Sequence, residues 1–156
     1  MFLRVQTKRA GPIKGEVTDE GHEDEIRVIG WHWSASASSA VDSVRATAKR
    51  SYSALTVTKA VDSASTALLS ALATNDEVKE ARLALRKAGG EQLDYLLITL
   101  TNARVAGIEH AADATGQVVE NVSLRFAKVK VEYRTQKGSG LRGGVSTFED
   151  EIFPEA

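Results

Sequence analysis

The chain contains no cysteine, which excludes disulfides, thiolate metal sites and cysteine nucleophiles together. The fold must hold by packing and strand pairing alone. Long apolar runs are missing as well. The longest strongly apolar one, Leu96-Leu97-Ile98, is far short of the roughly 20 residues a helix needs to span a bilayer. Met1 to Gly11 has no apolar core of the kind a signal peptide carries, so the expected location is the cytoplasm. Charge of one sign is also lacking: 20 Lys and Arg stand against 21 Asp and Glu, a formal net charge of -1. No global field therefore favours nucleic acid or membrane, and the small basic clusters Lys8-Arg9 and Lys49-Arg50 read as solvated surface.

What is present is 156 residues, enough for one domain that buries roughly 70% of the surface its unfolded chain exposes. Short segments of period-two alternation dominate, separated by Gly, Ser, Asn and Asp, the pattern of an all-β sandwich or barrel. Strands are predicted near Phe2 to Gln6, Ile13 to Thr18, Glu25 to Ser34, Ser53 to Thr58, Val78 to Lys87, Leu93 to Leu100, Asn102 to His110 and Glu120 to Thr135. A weaker one is predicted near Val145 to Phe148. In "DSASTALLSALATND", Ala64, Ala67, Leu68, Ala71 and Leu72 fall on one helical stripe. Asp62 or Ser63 can cap that helix and Asn75-Asp76 stops it.

The turn "RKAGGEQ" sets a register. A loop centred on Gly90 places Leu85 opposite Tyr95, Leu83 opposite Leu97 and Arg86 opposite Asp94, whereas a loop centred between the two glycines wastes Leu85 against Asp94. A three- or five-residue loop with a glycine at positive φ is expected. Beyond it, Tyr95 and Leu97 point to one face while Leu96, Ile98 and Leu100 point to the other. A strand apolar on both faces needs cover on both, so Leu96, Ile98 and Leu100 are assigned to the core or to a subunit interface.

Two segments change phase. Val122, Leu124 and Phe126 share one face and Val129, Val131 and Tyr133 the other, which predicts a bulge or corner near Ala127-Lys128. Ile26 and Val28 share a face opposite to Ile29, Trp31 and Trp33, which places a bulge or bend at Gly30. His32 then points away from both tryptophans, and Trp31 and Trp33 face the core or a subunit contact. The Ser- and Ala-rich tract at about 34–52 reads as a long mobile loop, and residues 136–156 as a flexible tail.

No motif carries catalysis. His22-Glu23-Asp24-Glu25 lacks the spacing of H-E-x-x-H and reads as a charged turn entering a strand. Gly138, Gly140 and Gly143 fit G-x-G-x-x-G without the strand-turn-helix unit that gives it meaning. No G-x-S-x-G elbow occurs, and His110 merely closes a strand. No catalytic, cofactor or metal residue is assigned.

The order "GEVTDEGHEDEIRVIGWHW", "LTVTKAVDSASTALLSALA", "LALRKAGGEQLDYLLITL" and "ENVSLRFAKVKVEYRTQK" resembles the haemolysin-coregulated protein (Hcp) family of bacterial type VI secretion systems, over nearly the whole chain. The resemblance implies a single Hcp-like domain over residues 1–156. That domain is a compact β-barrel of two antiparallel sheets with one short flanking α-helix. It also implies homohexameric rings that stack into a tube similar to that of phage tails, with a contractile sheath and a VgrG spike as partners and small secreted effectors in the ring lumen. Such a protein is cytoplasmic before firing and afterwards secreted or delivered into a target cell, without membrane insertion, nucleic acid, cofactor or enzymatic activity. His32 takes the position of a lumen-facing residue, often serine in relatives, and six copies would form a titratable belt.

The chain departs from the family pattern in places. The segment Gln6 to Pro12 is longer than usual, "SASTALL" lacks the proline many relatives place there, and Thr147-Phe148-Glu149 replaces a Gly-Trp-Asp ending. The alternatives are a monomeric β-barrel ligand-binding module, with Trp31 or Trp33 lining a pocket, and a hydrolytic effector.

Overall fold

A computed structural model of the chain describes residues 1–38, 49–87, 93–136 and 142–152. The described elements are β1 (Phe2–Thr7), β2 (Gly11–Ile13), β3 (Ile26–Arg27), β4 (Gly30–His32), β5 (Ala35–Ser38), β6 (Lys49–Tyr52), β7 (Leu55–Ala60), α1 (Ser65–Ala73), β8 (Val78–Arg86), β9 (Asp94–Ala112), β10 (Val118–Gln136) and β11 (Arg142–Glu151). Nine strands form one antiparallel sheet in the order β2-β1-β8-β9-β10-β7-β4, with β11 added on β10 and β3 on β1, while β5 and β6 form a separate two-stranded ribbon. The alternation read from sequence is visible in burial. In β1, Leu3, Val5 and Thr7 are buried between exposed Arg4 and Gln6; in β7, Leu55, Val57 and Lys59 are buried.

Among the described residues, the barrel ladder is not closed by a strand that pairs on both sides. Instead one continuous segment bridges its two ends. β3 pairs with β1 and β4 with β7, and between them Val28 N–H donates to Met1 O at 2.9 Å while Ile29 N–H donates to Thr58 O at 2.8 Å. Successive amides thus reach opposite edges of the sheet, as the alternating direction of strand N–H groups allows. This exchange of partners produces the phase change expected at Gly30. The bend lies at Ile29, which is 56% exposed, so Ile29 does not join the tryptophan face. Gly30 is not among the glycines at positive φ, and a Cβ on it would meet nothing within 4 Å.

A second phase change runs across three strands at one level. Val78 and Ala81 in β8, Leu100 and Ala103 in β9, and Phe126 and Val129 in β10 are each three residues apart, yet all pack into a single core cluster. Of the bulge and the corner expected near Ala127-Lys128, the structure has the corner: the β9–β10 register keeps one offset from Leu124↔Val105 to Tyr133↔Leu96, with only the Ala127 and Asn102 position missing from the ladder. The device is a corner at Asn102, whose φ of 51° is a left-handed conformation that asparagine tolerates better than most residues. The two strands expected at Leu93 to Leu100 and Asn102 to His110 are therefore one strand turned over in the middle. A register shift does occur elsewhere, between Ser123 and Leu124.

The helix covers one side of β9 with Leu68 and Ala71, and Ala64 and Ser65 are buried beside them. Leu72, assigned to the buried stripe from spacing, is 37% exposed. The N-cap is Ala64, without a side-chain cap; Asp62 Oδ1 instead accepts the Ala64 amide one position earlier, at 3.0 Å. The helix ends where expected. Asn75 adopts φ 52°, and its amide and that of Asp76 return to Leu72 O and Ala71 O at 3.2 and 3.0 Å, a Schellman arrangement.

Arg86 does face Asp94, with Nε and Oδ1 3.4 Å apart. A register shift between Leu85 and Arg86, however, sets Leu85 opposite Leu96 and Leu83 opposite Ile98, in place of Tyr95 and Leu97. The shift lets the charged pair sit at the rim while Leu83 and Ile98 meet in the core. The glycine loop itself lies outside the described residues. Part of the tract at 34–52 is the β5–β6 ribbon, and the weak strand near Val145 to Phe148 extends to the ten residues of β11, so 142–151 is strand within the segment expected as tail.

Candidate functional site

The polar face centred on His32 is built by four strands. Residues paired directly across a ladder share a face, and the registers align His32 with Thr56, Ser123 and Gly107, and Gly30 with Thr58, Asn121 and Glu109. His32 is exposed. Beside it, the Thr56 and Ser123 hydroxyls lie 2.9 Å apart and Thr58 Oγ1 donates to Asn121 Oδ1 at 2.6 Å. The result is a hydroxyl- and amide-bearing surface with a glycine at each edge, His32 beside one and the exposed Glu109 beside the other.

The opposite face of the same strands is dry. Trp31 is paired with Val57, which is paired with Val122, and both valines are fully buried. Trp31 and Trp33 are half-buried against this core. The Trp33 indole N–H donates to Ser53 O at 3.1 Å, and its ring stacks on Tyr52 at 5.6 Å and meets Phe126 edge-on at 6.1 Å. The tryptophans therefore support the sheet from behind and leave His32 free on its front. Of the doubly apolar strand, Ile98 and Leu100 are core, Leu97 is buried from the other face, and Leu96 is half-buried.

Exposed apolar side chains collect elsewhere. On one side, Phe148 continues the row Leu3, Leu83, Ile98, Val131 out of the core; it is 48% exposed, and Tyr133 beside it is exposed too, while exposed Val145, opposite Arg134, lies on the other face of β11. On another, Ile29 and Val61 line a cleft of about 380 Å³ together with Glu16, Arg27, Val28, Ala60 and Asp62. Neither this cleft nor a polar one at Lys8, Arg9, Asp76, Glu77 and Arg104 includes Trp31 or Trp33, so the tryptophan pocket of the ligand-binding alternative is not formed in either.

Two buried ionic centres were not legible in the sequence. Lys59 is fully buried, and its ammonium group reaches Glu120 at 2.7 Å, Asp62 at 2.8 Å and Ser65 Oγ at 3.1 Å, so all three of its protons find acceptors. Glu120 in turn accepts from His110 at 3.1 Å. Burial alone would raise the Glu120 pKa, but the hydrogen bonds from Lys59 and Ser65, the Lys59 charge and His110 outweigh it and hold the carboxyl below its ordinary range. The second centre is His22, whose Nδ1 lies 2.6 Å from Glu25 and Nε2 2.9 Å from Asp94, with the ring stacked on Phe2 at 4.2 Å. His22 and Glu25 do form a turn, as read from sequence, but both are buried. Their partner Asp94 is 72 residues away from His22, a pairing that local spacing does not reveal. Among the described residues no group of three or more metal-ligating side chains occurs, and no helix is long and apolar enough to cross a membrane.

Fold and surfaces together define a mainly-β domain that presents faces: a polar sheet front, exposed apolar patches and an exposed two-stranded ribbon. Residues 2–133 match the family model described as "Type VI secretion system effector, Hcp", and the chain belongs to this family of secreted type VI tube proteins. It is 34% identical to Protein hcp1 of Pseudomonas aeruginosa over 148 residues, which span 92% of this chain and 88% of that protein. Hcp1 of Salmonella typhimurium superimposes with a TM-score of 0.76 at 28% identity, covering 97% of this chain and 94% of the other. A type VI secretion system effector from Yersinia pestis gives 0.74 at 25% identity, covering 96% and 99%.

Proposed function

We propose that the chain is the structural subunit of the type VI inner tube, assembling as hexameric rings that stack and carry small effectors in their lumen. The observation that carries this reading is the presence of unlike exposed apolar patches on one small domain, at Ile29 and Val61 and at Tyr133 and Phe148. A ring closes through heterologous contacts, in which each copy offers two different surfaces. Patches of this kind need cover in solution. The VgrG spike and the contractile sheath are then the tube's partners, and the protein leaves the cytoplasm only on firing. Electron microscopy of the purified protein is expected to show hexagonal rings, with a ring-sized mass by light scattering. A strictly monomeric protein at high concentration would overturn the reading.

The polar face of His32 supports an orientation with that face toward the lumen. This wall of hydroxyls, an amide and the Glu109 carboxylate is wettable, and among these side-chain types histidine is the one whose charge ordinarily changes between about pH 5 and 8. Effector retention is expected to differ between about pH 5.5 and 7.5 in the native ring and to lose that difference in His32→Ser. Identical behaviour of the two rings would remove His32 from the cargo surface.

A further inference from the structure

Both ring nitrogens of His22 meet carboxylates, Nδ1 at 2.6 Å from Glu25 Oε2 and Nε2 at 2.9 Å from Asp94 Oδ2. A carboxylate offers only acceptors, and a neutral imidazole has one N–H and one bare nitrogen. With a neutral ring, one of the two contacts would set lone pair against lone pair. The three side chains together therefore hold one proton more than a neutral histidine and two carboxylates do. Imidazole is ordinarily the stronger base of the two types, so the ring carries that proton. The surroundings favour it as well. His22 is 2% exposed and Glu25 5%, and Glu25 Oε1 is buried with no hydrogen-bond partner among the described residues, a place where a carboxylate without a neighbouring positive charge is costly.

The same centre fastens a cover. Residues 14–25 join β2 to β3 and are tied to themselves by Gly15 N–H to Asp24 O and Val17 N–H to Glu25 O, at 2.7 and 3.1 Å. From this loop His22 stacks on Phe2. Phe2 shares a sheet face with Ala84 and Leu97; all three are buried, yet none belongs to the core cluster inside the barrel. The charged groups around the ring are Glu25 of the loop, Asp94 of β9, Arg86 of β8 and Arg27 of β3, the last two with their guanidinium groups over the Phe2 ring at 5.3 and 5.5 Å. Arg86 also pairs with Asp94 and Arg27 with Asp19. The Met1 amine stands near these four, and burial and then Arg27 hold it below its ordinary pKa.

We propose that His22 is a proton-operated clasp, which closes the 14–25 loop over Phe2 by holding one proton from solvent between Glu25 and Asp94 and loosens the loop when that proton leaves. With the loop open, both carboxylates are hydrated and the ring is an ordinary histidine, charged below about pH 6.5 and neutral above it. Closure below that pH takes up no proton, whereas closure above it takes up one, so the closed form loses ground to the open one by about tenfold per pH unit. Opening uncovers the apolar row Phe2, Ala84 and Leu97. The clasp is a property of the single chain and stands apart from the tube reading.

Solid-state NMR of the full-length protein with isotope-labelled histidine reads the proton directly, whether the protein is monomeric or assembled. The chain has three histidines, and His32→Ser with His110→Gln leaves the His22 signals alone. Both ring nitrogens are expected as N–H at about pH 7.5, where an ordinary histidine is mostly neutral. A bare nitrogen would overturn the clasp. Amide exchange supplies the second readout. Protection factors at Gly15, Val17 and Glu25, corrected for the intrinsic rate, are expected to fall on the order of 30- to 100-fold between about pH 6.5 and 8.5, with those of β9 and β10 unchanged. In His22→Gln, which has no proton to lose, that fall should vanish although the Met1 amine still titrates. Protection that does not change with pH in the native protein, or that falls equally in His22→Gln, would overturn the link between proton and loop, and the ring signals decide the protonation even where His22→Gln does not fold.

Discussion

Replacing Glu120 by alanine is expected to lower the free energy of unfolding by roughly 3–5 kcal/mol, the range for breaking one side of a buried ion pair. Lys59 has no exposed surface at all. With Glu120 gone it keeps Asp62 and Ser65 but loses its 2.7 Å contact, and an ammonium group with an unused proton in a dry interior is strongly disfavoured. The double variant Lys59→Met with Glu120→Leu should recover most of the loss, because an apolar pair of similar volume often matches a buried salt bridge. Urea unfolding at one fixed protein concentration separates the two outcomes, since assembly would otherwise make the midpoint concentration-dependent. Equal stability of Glu120→Ala and the native protein would show that Lys59 is solvated.

The same centre sets a pH dependence. The folded Glu120 carboxyl titrates below the ordinary carboxylate range, so its contribution is complete above that range and is lost as the pH falls through the lowered value. In the double variant, the part of the acid-induced loss due to this residue should vanish.

Gly15→Ala is the second large effect. A Cβ there would stand 2.3 Å from the Glu25 carbonyl oxygen and 2.8 Å from both Glu25 C and Ile26 Cα. All three are backbone atoms, so no rotamer change relieves the clash. The Gly15 amide also donates to Asp24 O at 2.7 Å, which binds this segment to the turn carrying His22 and Glu25. A destabilisation of about 1–3 kcal/mol, or somewhat more, is expected, and the crowding should pull His22 from Asp94. Gly30→Ala serves as the contrast: its Cβ meets nothing, and a change within about 0.5 kcal/mol is expected. Equal effects at the two glycines would mean that the turn shifts freely.

Much of the architecture is written in local pattern. The stripe Ala64, Leu68, Ala71 needs only the 3.6-residue period to place a helix on a sheet, and the alternation in β1 and β7 needs only the two-residue period. The direction of His32 away from Trp31 follows from that same alternation. What local pattern does not carry is the choice of partner. The phase breaks read at Gly30 and near Ala127-Lys128 were visible as breaks, but a bulge, a bend and an exchange of neighbours all leave the same trace along one strand. Lys59 in a buried row and His22 in a charged turn look like surface until Glu120 and Asp94 arrive from elsewhere in the chain. Arg50 likewise reads as a solvated cation until β11 folds back beside it.

The corner at Asn102 constrains how the gene can vary in length. β8, β9 and β10 turn over together, so a codon gained or lost in one strand between the corner and the hairpin would throw only that strand out of phase with its neighbours. The three segments behave as one reading frame in space: permitted insertions lie in the loops, or arrive as matched pairs on adjoining strands.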